Sequence, residues 1–179
     1  MNIIFLDIDG VLNTNLNREI NPNIVKRLSI FAKSTNSEII LHSGWRFWFG
    51  EDMRPLNNAA ENLQKVLLRE GIVLSGKTPD LSDENIKKEQ IFSKVKAKEI
   101  LLWLNDHDDI ESWLVIDDLD LDNNLVRQHQ IQPDPDVGLS DKDIQKTAYF
   151  LTNAKNTIPM LTLENRLFQF DITTHGVVM

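Results

Sequence analysis

The apolar residues of this chain fall into short runs separated by polar stretches, and the period of each run predicts an element. Ile3 and Phe5 on one face, with Ile4, Leu6 and Ile8 on the other, fill both sides of a strand over Ile3–Ile8. A strand buried on both faces belongs in the middle of a parallel sheet. Asn21-Pro22 offers an N-cap with proline at the first helical position, and Ile24, Leu28 and Phe31 follow at helical spacing. EIILH (Glu38–His42) reads as a second strand ended by Ser43-Gly44, and Leu63, Val66 and Leu67 share one face of a helix over Leu56–Arg69. Ile72–Leu74 reads as a third strand, and the SGKTPD that follows as a loop. Ser82–Glu89 is polar and charged, the pattern of a solvated loop or a weak helix. Lys94–Leu104 is an amphipathic helix with Ile100, Leu101 and Leu104 inward. SWLVI (Ser112–Ile116) is a further buried strand, and another over Leu125–Ile131 precedes a QPDPDVG loop. Ser140, with Asp143 three residues on, caps a last helix, and RLFQFDI in the tail alternates like a strand.

Strands that alternate with helices predict an α/β fold, a doubly wound, Rossmann-like three-layer sandwich around a central parallel sheet. The 179 residues suit a single domain, with a core over about residues 1–155 and a C-terminal extension of unknown role over 156–179. With 41% hydrophobic and 26% charged residues the composition is that of an ordinary globular chain. A net charge of −8 argues against a broad electrostatic grip on a nucleic-acid backbone. The absence of cysteine excludes disulfides and thiolate metal sites. Neither a signal-like N-terminus nor a membrane-length apolar stretch is present, so a cytoplasmic location is the default, with signal-less secretion equally compatible.

Two of the apolar runs end on acids. Asp7 and Asp9 close the first strand, Asp117 and Asp118 close SWLVI, and Ser43 follows EIILH. In a doubly wound sheet the ligand site lies beyond the carboxyl ends of the strands, so these residues converge. Asp7 and Asp9, two apart on a strand, project together unless the chain turns sharply at Gly10. Adjacent carboxylates repel, and a cation between them or a shared proton relieves the repulsion. Several carboxylates without a His or Cys cluster favour a hard cation, Mg²⁺ before others. Lys96, with Lys98 as its rival, can balance the charge and meet a phosphoryl oxygen, to which Ser43 can also donate. His42 reads as structural, and His107, His129 and His175 lack ligand spacing. Trp45, Phe47, Trp48 and Phe49 read as packing under the next loop, with lining of a substrate entrance as the alternative.

The ordered set DIDGVLN, HSGWR, KAKEI and VIDD resembles the four motifs of the haloacid dehalogenase-like hydrolases. SGWR, GKTPDL and KAKEILLWL are similar to a small capless branch, some of whose members are joined to RNA-repair enzymes. The resemblance covers roughly residues 1–155. It implies Asp7 as a nucleophile forming an aspartyl phosphate and Asp9 as acid and then base, with its backbone carbonyl on Mg²⁺. It implies that Ser43 orients the phosphoryl group, that Lys96 neutralises charge, and that Asp117 and then Asp118 bind the metal together with Asp7. Lysine and alanine in KAKEI stand where that branch usually has arginine and glycine.

The function expected is therefore a Mg²⁺-dependent phosphomonoesterase. With little sequence left over for a cap, it would act on a bulky substrate such as a phosphoprotein or a nucleic-acid end. A small-metabolite phosphatase and a non-catalytic phospho-acceptor or binding domain are the alternatives. A phospho-acceptor receiver domain places its acidic pair after the first strand, whereas Asp117-Asp118 comes late, and Asp9 favours turnover.

Overall fold

A computed structural model describes residues 1–82 and 92–146. Five parallel strands form one sheet in the order β3-β2-β1-β4-β5. They are β1 (Asn2–Leu6), β2 (Ser37–Leu41), β3 (Leu74–Lys77), β4 (Ser112–Ile116) and β5 (Gln130–Ile131). The helices are α1 (Pro22–Ser34), α2 (Asn58–Arg69), α3 (Phe92–Asn105) and the short α4 (Asn124–Gln128). A 3₁₀ turn, Gly44–Trp48, follows β2. The architecture is the expected doubly wound α/β sandwich.

Strand alternation sorts the core into two layers. Ile4, Leu6, Ile39, Leu41, Leu114 and Ile116 pack on α1 and α2 through Val25, Leu28, Leu63 and Leu67. Ile3, Phe5, Ile40, Trp113 and Val115 face α3 and α4 through Ala97, Ile100, Trp103 and Val126. Extending the second set by one step of two puts Asp7, His42 and Asp117 on the α3 side of the sheet.

Local chemistry explains where the elements begin. The Asn21 side chain accepts from the Asn23 N–H with Pro22 at the first helical position, and Asn57 accepts from Ala60 at the start of α2. Ser140 and Asp143 bond reciprocally, Ser140 N to Asp143 Oδ2 at 3.0 Å and Asp143 N to Ser140 Oγ at 3.3 Å, as the predicted cap requires; residues 141–146 are helical.

Three boundaries differ from the sequence pattern. β1 ends at Leu6, and although Asp7 N still reaches Ile116 O at 2.9 Å, Ile8 is carried into the turn that follows. Ile72 does not start β3. Its N–H bonds Leu67 O at 2.9 Å and that of Gly71 bonds Leu68 O at 3.0 Å, a Schellman cap on α2 with Gly71 at φ +77°. The strand therefore starts at Leu74 and runs through Ser75, Gly76 and Lys77, which composition assigned to a loop; at a sheet edge, ladder bonds to β2 suffice to hold it. In Leu125–Ile131 the Asn123 side chain accepts from both Leu125 and Val126, nucleating α4 and leaving only Gln130–Ile131 as strand. The expectations for residues 83–89 and for the RLFQFDI tail lie outside the described residues. Among those described, no helix is long and apolar enough to cross a membrane.

Candidate active site

The strand ends deliver their side chains to one place because they share a face. Asp7 follows Ile3 and Phe5, Asp117 follows Trp113 and Val115, and His42 follows Ile40. Opposite them lies α3, which buries Glu99, Ile100 and Trp103, with the partly covered Lys96 one turn before Ile100 on the same face. The same register that buries Ile100 and Trp103 therefore brings Lys96 to the acids. Its Nζ lies 2.5 Å from Asp117 Oδ2 and 3.3 Å from Asp7 Oδ1. Lys98 is exposed on the other side of the helix.

Asp7, Asp117 and Asp118 each offer an oxygen within 4.8 Å of the others. Asp118 packs directly on the turn at Gly10: a Cβ there would lie 2.7 Å from the Asp118 carboxyl, and Gly10 has φ +73°. Both facts require glycine. The turn is closed by Val11 N and Leu12 N on Ile8 O, and by Gly10 N on Asn13 Oδ1 at 3.0 Å.

The sharp turn separates the two acids of the first motif. The Asp9 carboxylate lies outside the three-acid group. Its Oδ1 accepts from Asn13 Nδ2 and its Oδ2 from the Trp45 indole N–H, both at 2.8 Å. Asp9 is thus oriented by two neutral donors, one from its own loop and one from the loop after β2. Ser43 is buried, and its Oγ accepts from Trp45 N at 3.3 Å, which leaves the hydroxyl proton for another acceptor. The Cα of Gly44 faces open space.

The electrostatics suit a bound cation. Asp117 is fully buried, with Oδ1 accepting from Leu119 N at 2.9 Å, while Oδ2 has the ion pair with Lys96, the His42 Nε2 at 3.9 Å and no hydrogen bond of good geometry. Burial pushes Asp117 up to about 7, against the opposing pull of Lys96 and with the help of Asp7. Burial and Asp7 also raise Asp118. Burial alone would lower Lys96, but Asp7 and Asp117 raise it above the usual lysine value. One lysine thus faces three carboxylates, two of which resist ionisation. An all-oxygen donor set with surplus negative charge fits Mg²⁺, and Asp7, Asp117 and Asp118 would hold it. His42, completely buried, is pushed well down by burial and then by Lys96 and Arg46, so it stands neutral; its Nδ1 lies 3.1 Å from Thr78 Oγ1.

A second tie joins the loop after β2 to α3. Arg46 Nη1 donates to Ser43 O at 3.1 Å, and its Nη2 lies 2.7 Å from Glu99 Oε1 and 3.6 Å from Asp80. Glu99 is wholly buried and also accepts from Leu81 N at 3.0 Å; burial raises it, against Arg46 and that bond. Arg46 therefore locks the backbone of Ser43 to the helix that carries Lys96.

All six residues singled out in the sequence lie around this edge of the sheet, with Asp9 set apart from the carboxylate group. The convergence of charge in the sequence does not point to Asn13, Arg46 or Glu99, nor to Trp45 as the partner of Asp9. Each stands inside the DIDGVLN, HSGWR or KAKEI stretch, but which group each one holds is set only by the fold. Of the aromatic cluster, Phe49 and the half-buried Trp45 pack on the core as expected, Trp45 with its indole N–H on Asp9, while Phe47 and Trp48 are exposed.

The family described as "HAD domain in Swiss Army Knife RNA repair proteins" matches residues 3–144 of the chain. The match spans every element that builds the site. No curated protein and no solved structure matches.

Proposed function

The chain belongs to the family of HAD domains in Swiss Army Knife RNA repair proteins, and from that premise we propose that it is a Mg²⁺-dependent phosphomonoesterase acting on phosphorylated nucleic-acid ends. The observation that carries the reading is the arrangement of Asp7, Asp117 and Asp118 around one lysine, with a separately oriented Asp9 beside them. Membership of a family described by RNA repair favours a nucleic-acid end over a phosphoprotein.

Mg²⁺ held by Asp7, Asp117, Asp118 and the Asp9 carbonyl would shield the charge of a phosphate as an anionic nucleophile approaches. Lys96 engages Oδ1 of Asp7, which leaves the second oxygen to attack phosphorus. The Asp7 O–P bond forms as the ester P–O bond breaks, and Asp9 gives its proton to the leaving oxygen. Asp9 then takes a proton from water, whose oxygen attacks phosphorus, releasing phosphate and regenerating Asp7. Ser43 donates its free hydroxyl proton to a phosphoryl oxygen. Lys96 holds the balancing charge throughout.

Phosphate release from 3′- and 5′-phosphorylated oligonucleotides, phosphopeptides and sugar phosphates tests this reading. With Mg²⁺, the wild type releases phosphate from at least one oligonucleotide end faster than from the other classes, and chelation or Asp7→Asn abolishes release. Equal release from Asp7→Asn, or release confined to phosphopeptides or sugar phosphates, would contradict it.

A further inference from the structure

Beside the acid stands an aromatic surface that the reaction itself does not use. Trp45 and Trp48 lie with ring centroids 4.7 Å apart and planes tilted by 53°. Trp45 is half-buried, packs on the core and spends its indole N–H on Asp9. Trp48 is 36% exposed. Its loop is clamped: Leu56 N bonds Trp48 O at 2.8 Å, Gly50 N bonds Arg54 O at 2.9 Å, and Phe49 is bridged to Pro55. An exposed tryptophan on a braced loop is a preformed stacking surface.

We propose that Trp48, anchored through Trp45 to Asp9, is a platform for the unpaired terminal nucleobase of the phosphorylated end and so determines the substrate. This rests on the phosphatase reading. If Asp9 protonates the leaving oxygen, the groups next to that oxygen meet Trp45 and then Trp48. The occupant is therefore the leaving group, and stacking on an indole selects a planar one. Two planar leaving groups are available. In a phosphotyrosine the ring carries the leaving oxygen itself and would sit against Asp9 and Trp45. In a nucleotide the sugar separates base from phosphate, which suits a ring reached through an intervening indole. Every base has a π face, so the platform tolerates any base. A base paired and stacked within a duplex cannot reach it, which makes single-stranded or frayed ends the substrates.

The test compares one phosphorylated single-stranded oligonucleotide with the same molecule lacking its terminal base, in wild type, Trp48→Ala and Trp48→Phe. The quantity read is the ratio of kcat/KM for the base-bearing end to that for the abasic end. We expect about tenfold or more in wild type, a fall towards one in Trp48→Ala, and substantial recovery in Trp48→Phe. A ratio near one in wild type, or one unchanged by Trp48→Ala, overturns the platform. A Trp48-dependent preference for a phosphotyrosine peptide over both oligonucleotides overturns the nucleobase as occupant. Should the wild type turn over neither end, the phosphatase reading fails separately, and the platform is judged by fluorescence anisotropy of the two dye-labelled oligonucleotides with the same proteins. Tighter binding of the base-bearing end that Trp48→Ala removes supports it, and equal binding of the two ends contradicts it.

Discussion

At the scale of single residues, the site is an imbalance of charge. Lys96 is the only cation within ion-pairing distance of Asp7 and Asp117 among the described contacts, and it contacts two of the three carboxylates that could hold a metal. A metal held there would therefore compete with the lysine for these carboxylates, while the proposed reaction needs both. Replacing Lys96 by methionine, which keeps the stem and removes the charge, should separate the two effects. Mg²⁺ should bind more tightly, by about tenfold, because one repelling charge is gone. Turnover should nonetheless fall by roughly a hundredfold or more, because the positive group beside the nucleophile is lost. Calorimetry and a phosphate-release assay on the same preparation check both. A fall in Mg²⁺ affinity would mean that Lys96 organises the carboxylates rather than competing with the metal.

Between elements, the Arg46–Glu99 pair is what keeps the loop after β2 in register with α3. Both side chains are almost fully buried, at 6% and 0% exposure. Removing one partner strands the other's charge, so Arg46→Met or Glu99→Met should each cost about 3–5 kcal/mol in a denaturant titration. The double variant should recover most of that stability, since an apolar pair can replace a buried ion pair. It should not recover kcat, because Ser43 O loses its tie to Arg46. Full recovery of kcat would reduce the pair to a packing element. This tie also marks the limit of what the sequence discloses. Acids at strand ends are legible, because a charge after a buried run has few explanations. Arg46 and Glu99 are not, because 53 residues separate partners that only the fold brings together. Boundaries set by backbone capping were hidden for a related reason. Ile72 has the composition of a strand residue but serves the Schellman cap of α2, and the ladder with β2 makes a strand of Ser75-Gly76-Lys77, whose side chains do not favour one.

For the molecule as a whole, the order β3-β2-β1-β4-β5 places β1 at the centre, with β2 and β4 on either side. The three strands that carry Asp7, Ser43 and Asp117 are therefore adjacent, and alternation turns Asp7 and Asp117 to the face that α3 covers. That convergence could be read from the βα alternation alone, while the separation of Asp9 from the other acids could not. It depends on the positive φ of Gly10 and on donors from two different loops. The net charge of −8 argues against broad electrostatic capture of nucleic acid, and the proposed stacking of a terminal base next to the site needs none. What makes this fold an enzyme, on the present account, is a covalent phosphoryl group on Asp7. The most direct measurement uses Asp9→Asn with Mg²⁺ and an aryl phosphate, whose good leaving group needs no acid. After rapid mixing and acid quench, mass spectrometry should find one phosphoryl group per chain on the peptide containing Asp7, appearing with a burst of phenol and decaying slowly. The same burst and phosphorylation in the Asp7→Asn/Asp9→Asn double variant, or turnover with Asp7 never phosphorylated, would contradict the account.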